Sequence, residues 1–379
     1  MARRFVVAAL WLAACGGGKS SGAGGDDAPP IDAPQTVATA GPAAGNPDGT
    51  CTPPAEAQLE DVSHPTTVVG TGTPASCTAD AFVAAVAAGG VITFACGPDP
   101  VTITLTRTAK VMNDTARGKL VIDGGGKVAL SGGGAVRILY QNTCDPATHP
   151  ISSDCNNLQA PALTVQNLTF IDGNATGLAD GKNDGGDAGG GGAIFVRGGR
   201  FKVLNSRFFH NVCDELASDI GGGAIRVLDF PTTDSLSRPV YIVNSTFGGA
   251  AGYGNHGANG GALSSIGTTY TVINSLFTDN QATGHGANSG QGGNGGAIYN
   301  DGNTYKLSLC GDHLTANHAN EGGSAVFYVS NNKTGSFAID RSVIQANPKG
   351  TFETSGFPGL YVLSKDSDKP VVTASTIGP

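Results

Sequence analysis

The residues of this chain that could do chemistry are two arginines with neighbouring aromatic and acidic side chains. Arg197 and Arg226 each follow a Gly-Gly pair within six residues. Because side chains alternate along a strand, Phe195, Arg197, Arg226, Tyr299 and Asp301 should share one outward face. Arginine pairs with carboxylates through two N–H groups, and aromatic rings stack on sugar rings. The face is therefore a candidate binding site for an acidic polysaccharide, and an ordinary solvated strand face is the alternative.

A second group consists of carboxylates on two successive loops. It contains Asp180, Asp184, Asp187, Asp214, Glu215 and Asp219. Like charges at this density repel one another unless they are solvated or bridged by a hard cation, and Ca²⁺ takes oxygen ligands in flexible loops. Their spacing does not match an EF-hand. Asp180, Asp184, Asp187, Asp214 and Asp219 are thus candidate calcium ligands, and a solvated acidic rim is the alternative.

A repeated motif predicts the strands and loops that carry these residues. Gly-Gly-Ala-Ile at 191–194 returns at 222–225, 260–263 (with Leu) and 295–298, and Asn-x-x-Phe at 167–170 returns at 205–208, 244–247 and 274–277. Interleaved motifs at this period predict a solenoid, and the short β-branched segments between them predict strands. We expect an all-β, single-stranded parallel β-helix over residues 51–379. The asparagines at 167, 205, 244 and 274 should form a hydrogen-bonded ladder, with the phenylalanines in an apolar column beside them.

The alternation of Gly-Gly-Ala-Ile with Phe-x-x-Asn, as in Phe208 to Asn211 and Phe277 to Asn280, resembles the repeat of polymorphic outer-membrane proteins. More broadly it resembles the right-handed parallel β-helices of the pectate-lyase-like superfamily. The resemblance runs from about Ala79 to the C-terminus, with the clearest repeats at about 160–350. It implies the fold more than an activity, because this fold carries lyases, hydrolases and adhesins.

The same resemblance defines an alternative function, a polysaccharide lyase that acts on a uronate polymer by β-elimination. Such a lyase neutralises the uronate carboxylate with Ca²⁺ or arginine and removes the neighbouring proton with a base. Arg226 and Arg197 would then be catalytic, and Ca²⁺ would be a cofactor. The Arg-x-Pro-x-x-Arg and Trp-Ile-Asp-His patterns of that superfamily are missing from the sequence.

The N-terminus has the features of an export signal. Arg3 and Arg4 precede an apolar run that is too short to span a bilayer. Leu12-Ala13-Ala14-Cys15 resembles a bacterial lipobox, which implies a signal peptide at 1–14, lipidation of Cys15 and an outer-membrane lipoprotein on the cell surface or the periplasmic face. A simple secretory signal is the alternative. Residues 15–50, rich in Gly, Ala and Pro, should be a disordered tether.

Seven further cysteines suit an exported protein with disulfides. We expect Cys77 to pair with Cys96 and Cys144 with Cys155, while the states of Cys51, Cys213 and Cys310 stay open. Residues 78–88 should form a capping helix with Thr78 as its N-cap.

The formal net charge of −8 argues against nucleic acid as a partner. We therefore expect a non-catalytic binding or adhesion module for extracellular polysaccharide or a neighbouring cell surface. The sequence leaves open whether the chain is instead an enzyme.

Overall fold

The structure is a computed structural model that describes residues 41–113, 118–148, 155–178, 189–228 and 239–379. The predicted signal peptide, Cys15 and most of the predicted tether lie outside these ranges. So do Asp180, Asp184 and Asp187, three of the predicted calcium ligands.

Within the described ranges the chain forms one α-helix, Ala79–Ala88 (α1), and 28 strands, with short 3-10 turns at Ala55–Ala57, Pro74–Ser76, Pro146–Thr148 and Cys155–Asn157. The strands are Thr67–Val69 (β1), Gly90–Phe94 (β2), Val101–Thr104 (β3), Ala109–Val111 (β4), Lys119–Ser131 (β5), Leu139–Asn142 (β6), Ala162–Ile171 (β7), Ile194–Arg197 (β8), Arg200–Leu204 (β9), Arg207–Phe209 (β10), Ile225–Leu228 (β11), Val240–Val243 (β12), Thr246–Gly248 (β13), His256–Gly257 (β14), Leu263–Ile266 (β15), Tyr270–Ile273 (β16), Leu276–Thr278 (β17), Gln281–Ala282 (β18), Ile298–Gly302 (β19), Lys306–Cys310 (β20), His313–Thr315 (β21), His318–Ala319 (β22), Val326–Ser330 (β23), Ser336–Asp340 (β24), Val343–Gln345 (β25), Leu360–Leu363 (β26), Val371–Thr373 (β27) and Thr376–Ile377 (β28).

These strands build three sheets of 17, 8 and 3 strands, and every pairing between the strands named above is parallel. Each strand lies beside its equivalent in the next repeat, where a repeat runs from one Gly-Gly pair to the next. In the 17-stranded sheet, for example, Tyr241 lies between Lys202 and Thr271. The 8-stranded sheet contains the strands that follow the Gly-Gly-Ala segments, such as β8, β11 and β15. The fold is therefore all-β and solenoid-like, and it is compatible with a parallel β-helix.

The Gly-Gly pairs form a corner before strands of the 8-stranded sheet, and the shape of this corner requires glycine. Gly222 has a φ of +70°, a left-handed conformation that other residues rarely adopt. A Cβ on Gly223 would lie 2.4 Å from the carbonyl oxygen of Gly261 in the next repeat and 2.4 Å from that of His256. The pair thus lets successive repeats approach closely. The following Ala224 and Ile225 are fully buried in the core.

The Asn-x-x-Phe motif marks a second corner, between strands such as β9 and β10. Its asparagines, at 167, 205, 244 and 274, have φ values of 47–53°, a left-handed conformation in which asparagine is enriched. Their phenylalanines, at 170, 208, 247 and 277, stack with ring centroids 4.7–4.9 Å apart. The predicted apolar column is thereby confirmed.

The ladder of side-chain amides was predicted at the asparagines of Asn-x-x-Phe, and that position is wrong. At the bend, Asn205 Nδ2 lies 3.4 Å from Asn167 Oδ1. The regular ladder runs instead through the Asn of Phe-x-x-Asn and its equivalents, and its amide–amide distances are 2.9–3.0 Å. Its members are Asn211, Asn255, Asn280, Asn317 and Asn347. These side chains are buried, and those of Asn211, Asn255 and Asn280 also donate to phenylalanine carbonyls of the preceding repeat, so their polar groups are paired inside the protein.

The N-terminal end of the stack is covered by the predicted helix. The Thr78 hydroxyl accepts a hydrogen bond from the Ala81 N–H at 3.2 Å, and Phe82 and Val86 are buried in the main core. The disulfides Cys77–Cys96 and Cys144–Cys155 are present as predicted. A third disulfide joins Cys51 to Cys310, and Cys213 is free and buried.

Residues 41–66 form a segment, here called the strap, that lies along the 17-stranded sheet. Gly45 N–H donates to the Thr246 hydroxyl at 2.9 Å, and Asn46 Nδ2 donates to the Gly311 carbonyl at 2.9 Å. Farther along, Thr66 N–H donates to the Val91 carbonyl. The strap therefore contacts several repeats, and the prediction of a disordered tether is wrong for residues 41–50.

An apolar row explains why the strap lies there. Leu204, Val243 and Ile273 occupy equivalent outward positions just before the asparagine bend, and they pack with Cys51 and Ala57 of the strap in one buried cluster. Covering these side chains removes apolar surface from water, which stabilises the docked strap.

Candidate functional site

The predicted outward face of the 8-stranded sheet has the expected register but is not open. Arg226 pairs with Phe195, and Ser264 pairs with Tyr299. However, Phe195 and Tyr299 are fully buried and only 2% of Arg226 is exposed. The expectation that Arg226 and Phe195 meet a polymer in solvent is therefore wrong. Alternation fixes the side of the sheet to which a residue points, but it does not reveal whether another segment covers that side.

An arginine that the sequence analysis did not single out lies in the same buried layer. The Arg137 guanidinium lies 5.5 Å from the Tyr140 ring centroid and 5.0 Å from that of Phe195, and it donates to the Gly190 and Gly191 carbonyls. Burial lowers the pKa of Arg137 to about 10. It remains a cation that holds the Gly-Gly corner against the aromatic rings. Arg197 is half-buried and its Nε donates to Asn156 Oδ1 at 2.8 Å.

Three residues predicted for two separate sites come together around one hydroxyl group. Tyr299 Oη lies 3.2 Å from Asp219 Oδ1 and 3.3 Å from Asp301 Oδ2. Asp301 also accepts hydrogen bonds from the side-chain amides of Asn288 and Asn331. Burial and the nearby Asp219 raise the pKa of the Asp301 carboxyl. This cluster ties the loop that carries Asp219 to the sheet surface, and it explains the burial of Tyr299.

Asp214 and Asp219 are the predicted calcium ligands that lie within the described residues, and their carboxylates do not come together. Asp214 Oδ1 accepts a hydrogen bond from the Gly177 N–H at 2.9 Å, whereas Asp219 lies against Tyr299. Among the described residues, one group of three potential metal ligands lies close enough to share an ion, and it contains Cys51, Cys310 and Asp340. Since its two cysteines form a disulfide, this group is not a metal site.

An open groove lies elsewhere, on the outer face of the 17-stranded sheet beside the strap. It has a volume of about 730 Å³. Its floor comes from two rows of outward side chains on successive repeats. The first row is Lys119, Ala162 and Arg200, and the second is Thr164, Lys202 and Tyr241. We call this surface the basic groove.

The strap supplies the acidic side of the basic groove. Glu60 Oε2 lies 2.5 Å from Lys119 Nζ, and Glu60 Oε1 lies 2.5 Å from Lys202 Nζ. Burial by itself would raise the pKa of Glu60, but the hydrogen bonds and charges of the two lysines outweigh it and keep this pKa below its usual value. The Tyr241 hydroxyl donates to Glu56 Oε1 at 2.9 Å. Burial and Glu56 raise the pKa of Tyr241 to about 12, so this hydroxyl remains a donor at neutral pH.

Part of this groove was within reach of sequence reasoning. Lys202 and Tyr241 occupy equivalent places in the segments Phe201-Lys-Val-Leu and Val240-Tyr-Ile-Val, so alternation puts them on one face. Glu56 and Glu60 belong to no repeat, and no periodic signal places them there.

Comparisons with protein-family models, with curated proteins and with solved structures found no match for this chain. The class of the protein therefore follows from its own structure. It is an all-β, solenoid-like protein of parallel sheets with a basic groove on one face. Over the described ranges, no helix has the length and apolar character needed to cross a membrane.

Proposed function

We propose that this chain is an exported, lipid-anchored envelope protein, and that its basic groove binds an extracellular acidic polysaccharide without catalysis. The same proposal covers a neighbouring cell surface that displays such a polymer. Its parallel sheets would form a right-handed β-helix of the pectate-lyase-like type, because crossovers between parallel strands are almost always right-handed. Three disulfides among the described residues support an oxidising compartment. The lipobox-like Cys15 supports a lipid anchor.

The observation that carries the proposal is the composition of the basic groove. Lys119, Arg200 and Lys202 place three cations beside the Tyr241 ring on an open surface that crosses successive repeats. Cationic side chains attract and hydrogen-bond carboxylates, and a tyrosine ring offers a face for a pyranose. A groove that runs across repeats suits a linear polymer.

Burial of Arg226 favours binding over the lyase alternative. A β-elimination at the 8-stranded sheet requires a base and a carboxylate-neutralising group that reach the polymer. Arg226 is 2% exposed, and the described candidate ligands Asp214 and Asp219 do not meet. We therefore assign no catalytic role to Arg226, nor to Arg197, whose Nε donates to Asn156 Oδ1.

The test is a binding titration with the exported chain carrying Cys15→Ser, which removes the proposed acylation site. Alginate and polygalacturonate serve as acidic polymers and dextran as a neutral one. Tyr241→Ala should weaken binding of the acidic polymers about tenfold, since stacking on an aromatic ring is lost. Tyr241→Phe keeps the ring and should bind nearly as the parent does. Lys349→Ala, outside the groove, is the matched surface control.

Two results would contradict the proposal. One is equal binding by the parent and Tyr241→Ala. The other is a rise in ultraviolet absorbance from unsaturated products, which would make the protein a lyase. The anchor is tested separately, because Cys15→Ser should move the protein from the membrane fraction to the soluble fraction. An unchanged distribution would show that Cys15 is not lipidated.

A further inference from the structure

We propose that the strap inhibits its own basic groove, with the Glu60 carboxylate occupying the position of a ligand carboxylate until an acidic polymer displaces it. This inference rests on the proposed function, because it concerns regulation of the same groove. It concerns affinity only and involves no covalent step.

The first step of the argument is the geometry around Glu60. Its two oxygens each meet a different lysine, Lys119 and Lys202, at 2.5 Å. The side chains of Glu60 and Lys202 are only 21% and 15% exposed, so this ion pair is partly withdrawn from solvent. Two ammonium groups that converge on one carboxylate form a receptor for that group. Any incoming carboxylate must compete with Glu60 for the same lysine N–H groups.

The second step is that the strap is fixed near Glu60 by bonds that do not involve its carboxylate. Glu60 N–H donates to Gln166 Oε1 at 2.9 Å, and Gln166 Nε2 donates to the Glu60 carbonyl at 3.1 Å. The Cys51–Cys310 disulfide and the contact of Thr66 with Val91 hold the strap on either side. The carboxylate can therefore leave the lysines by side-chain rotation while the backbone stays docked.

The third step is the charge of the groove. Three cations, Lys119, Arg200 and Lys202, face two carboxylates, Glu56 and Glu60, so the formal charge is +1. Removing the Glu60 charge raises it to +2 and releases Lys119 and Lys202 from a competing carboxylate. Lys202 Nζ keeps its hydrogen bonds to the Glu56 and Gln58 carbonyls, which hold it in the groove. Binding of an acidic oligosaccharide should then tighten on the order of threefold to tenfold, as expected when one intramolecular carboxylate no longer competes.

The experiment compares the full exported chain carrying Cys15→Ser with its Glu60→Gln and Glu56→Gln variants. The probe is an alginate hexamer at low ionic strength, and a dextran oligomer is the uncharged control. Glu60→Gln should bind alginate threefold to tenfold more tightly and dextran no differently. Glu56 lies on the same strap, but its carboxylate accepts from Tyr241 and only its backbone carbonyl accepts from Lys202. Glu56→Gln keeps that carbonyl and should change alginate binding less than twofold.

A second measurement reports on the contact between Glu60 and Lys202 without any ligand. Acetylation of lysines by a soluble ester, followed by mass spectrometry, should be faster at Lys202 in Glu60→Gln than in the parent. Lys333, which is bonded to Asp368 far from the strap in sequence, is the internal control and should not change.

The outcomes separate the two proposals. If the parent and Glu60→Gln bind alginate equally while Tyr241→Ala binds it weakly, the groove binds the polymer but the strap does not inhibit it. If neither protein binds any polymer, the proposed function and the inhibition are both wrong. A folded Glu60→Gln variant with weaker alginate binding would show that Glu60 builds the groove rather than blocks it.

Discussion

Truncation of Phe247 to alanine tests how the stack of repeats is held together. The Phe247 ring is fully buried, and its centroid lies 4.7 Å from that of Phe208 and 4.8 Å from that of Phe277. Replacing a buried phenylalanine by alanine costs about 3–5 kcal/mol of unfolding free energy. Each stacked pair contributes about 0.5–1.5 kcal/mol beyond its buried area. Because Phe247 has two such partners, we expect a cost in the upper half of that range.

The control comes from the chain itself. Leu314 pairs with Phe277 and takes the next position of the same column, so the column accepts leucine there. Phe247→Leu keeps most of the volume and should cost less than about 1.5 kcal/mol. Urea unfolding followed by circular dichroism measures both variants. A loss below about 1 kcal/mol for Phe247→Ala, or equal losses for the two variants, would refute the view that the aromatic column stabilises the stack.

Three further predictions concern polar and covalent contacts. Burial raises the pKa of Asp312 well above its usual value, so its contribution to stability is full below about pH 4 and is lost as pH rises. Serine stands at the equivalent position of the repeats on either side, as Ser275 and Ser342. Asp312→Ser should gain stability relative to the parent from pH 4 to pH 8 in thermal melts, and a constant difference would contradict this. Asn280→Ala should cost about 2–4 kcal/mol of unfolding free energy, because it breaks the amide ladder and leaves buried polar groups unpaired. Exposed Asn332→Ala should cost less than about 0.5 kcal/mol. Similar thermal melts for the two variants would argue against the ladder. Replacing Cys51 and Cys310 together by serine should lower the free energy of unfolding by about 2–5 kcal/mol, and an unchanged urea midpoint would mean that the strap docks without its disulfide.

Much of the fold follows from local patterns in the sequence. Gly-Gly-Ala-Ile and Asn-x-x-Phe each encode a corner through backbone conformations that few residues tolerate, as at Gly222 and Asn205. The strands between them alternate, which fixed the register of Arg226 beside Phe195. The helix at 78–88 and two of the disulfides were equally local, because each involves residues close together in the chain.

The amide ladder shows where local reasoning stops. Two asparagines recur in each repeat, and both can hydrogen-bond their copies. Which one does so depends on where the side chain points after the bend, and the left-handed conformation leaves Asn205 partly exposed while Asn211 lies inside. That choice requires the three-dimensional path of the corner.

The repeat, the strand faces and the expectation of disulfides could all be read from the sequence, because these depend on residues within one repeat or on composition. Two results needed the three-dimensional structure. They are the burial of Arg226 and the contacts of Glu60 with Lys119 and Lys202. The second result comes from the strap, a segment without periodicity that lies along the 17-stranded sheet. Its position depends on contacts between residues as far apart as Cys51 and Cys310, and no local pattern records such contacts.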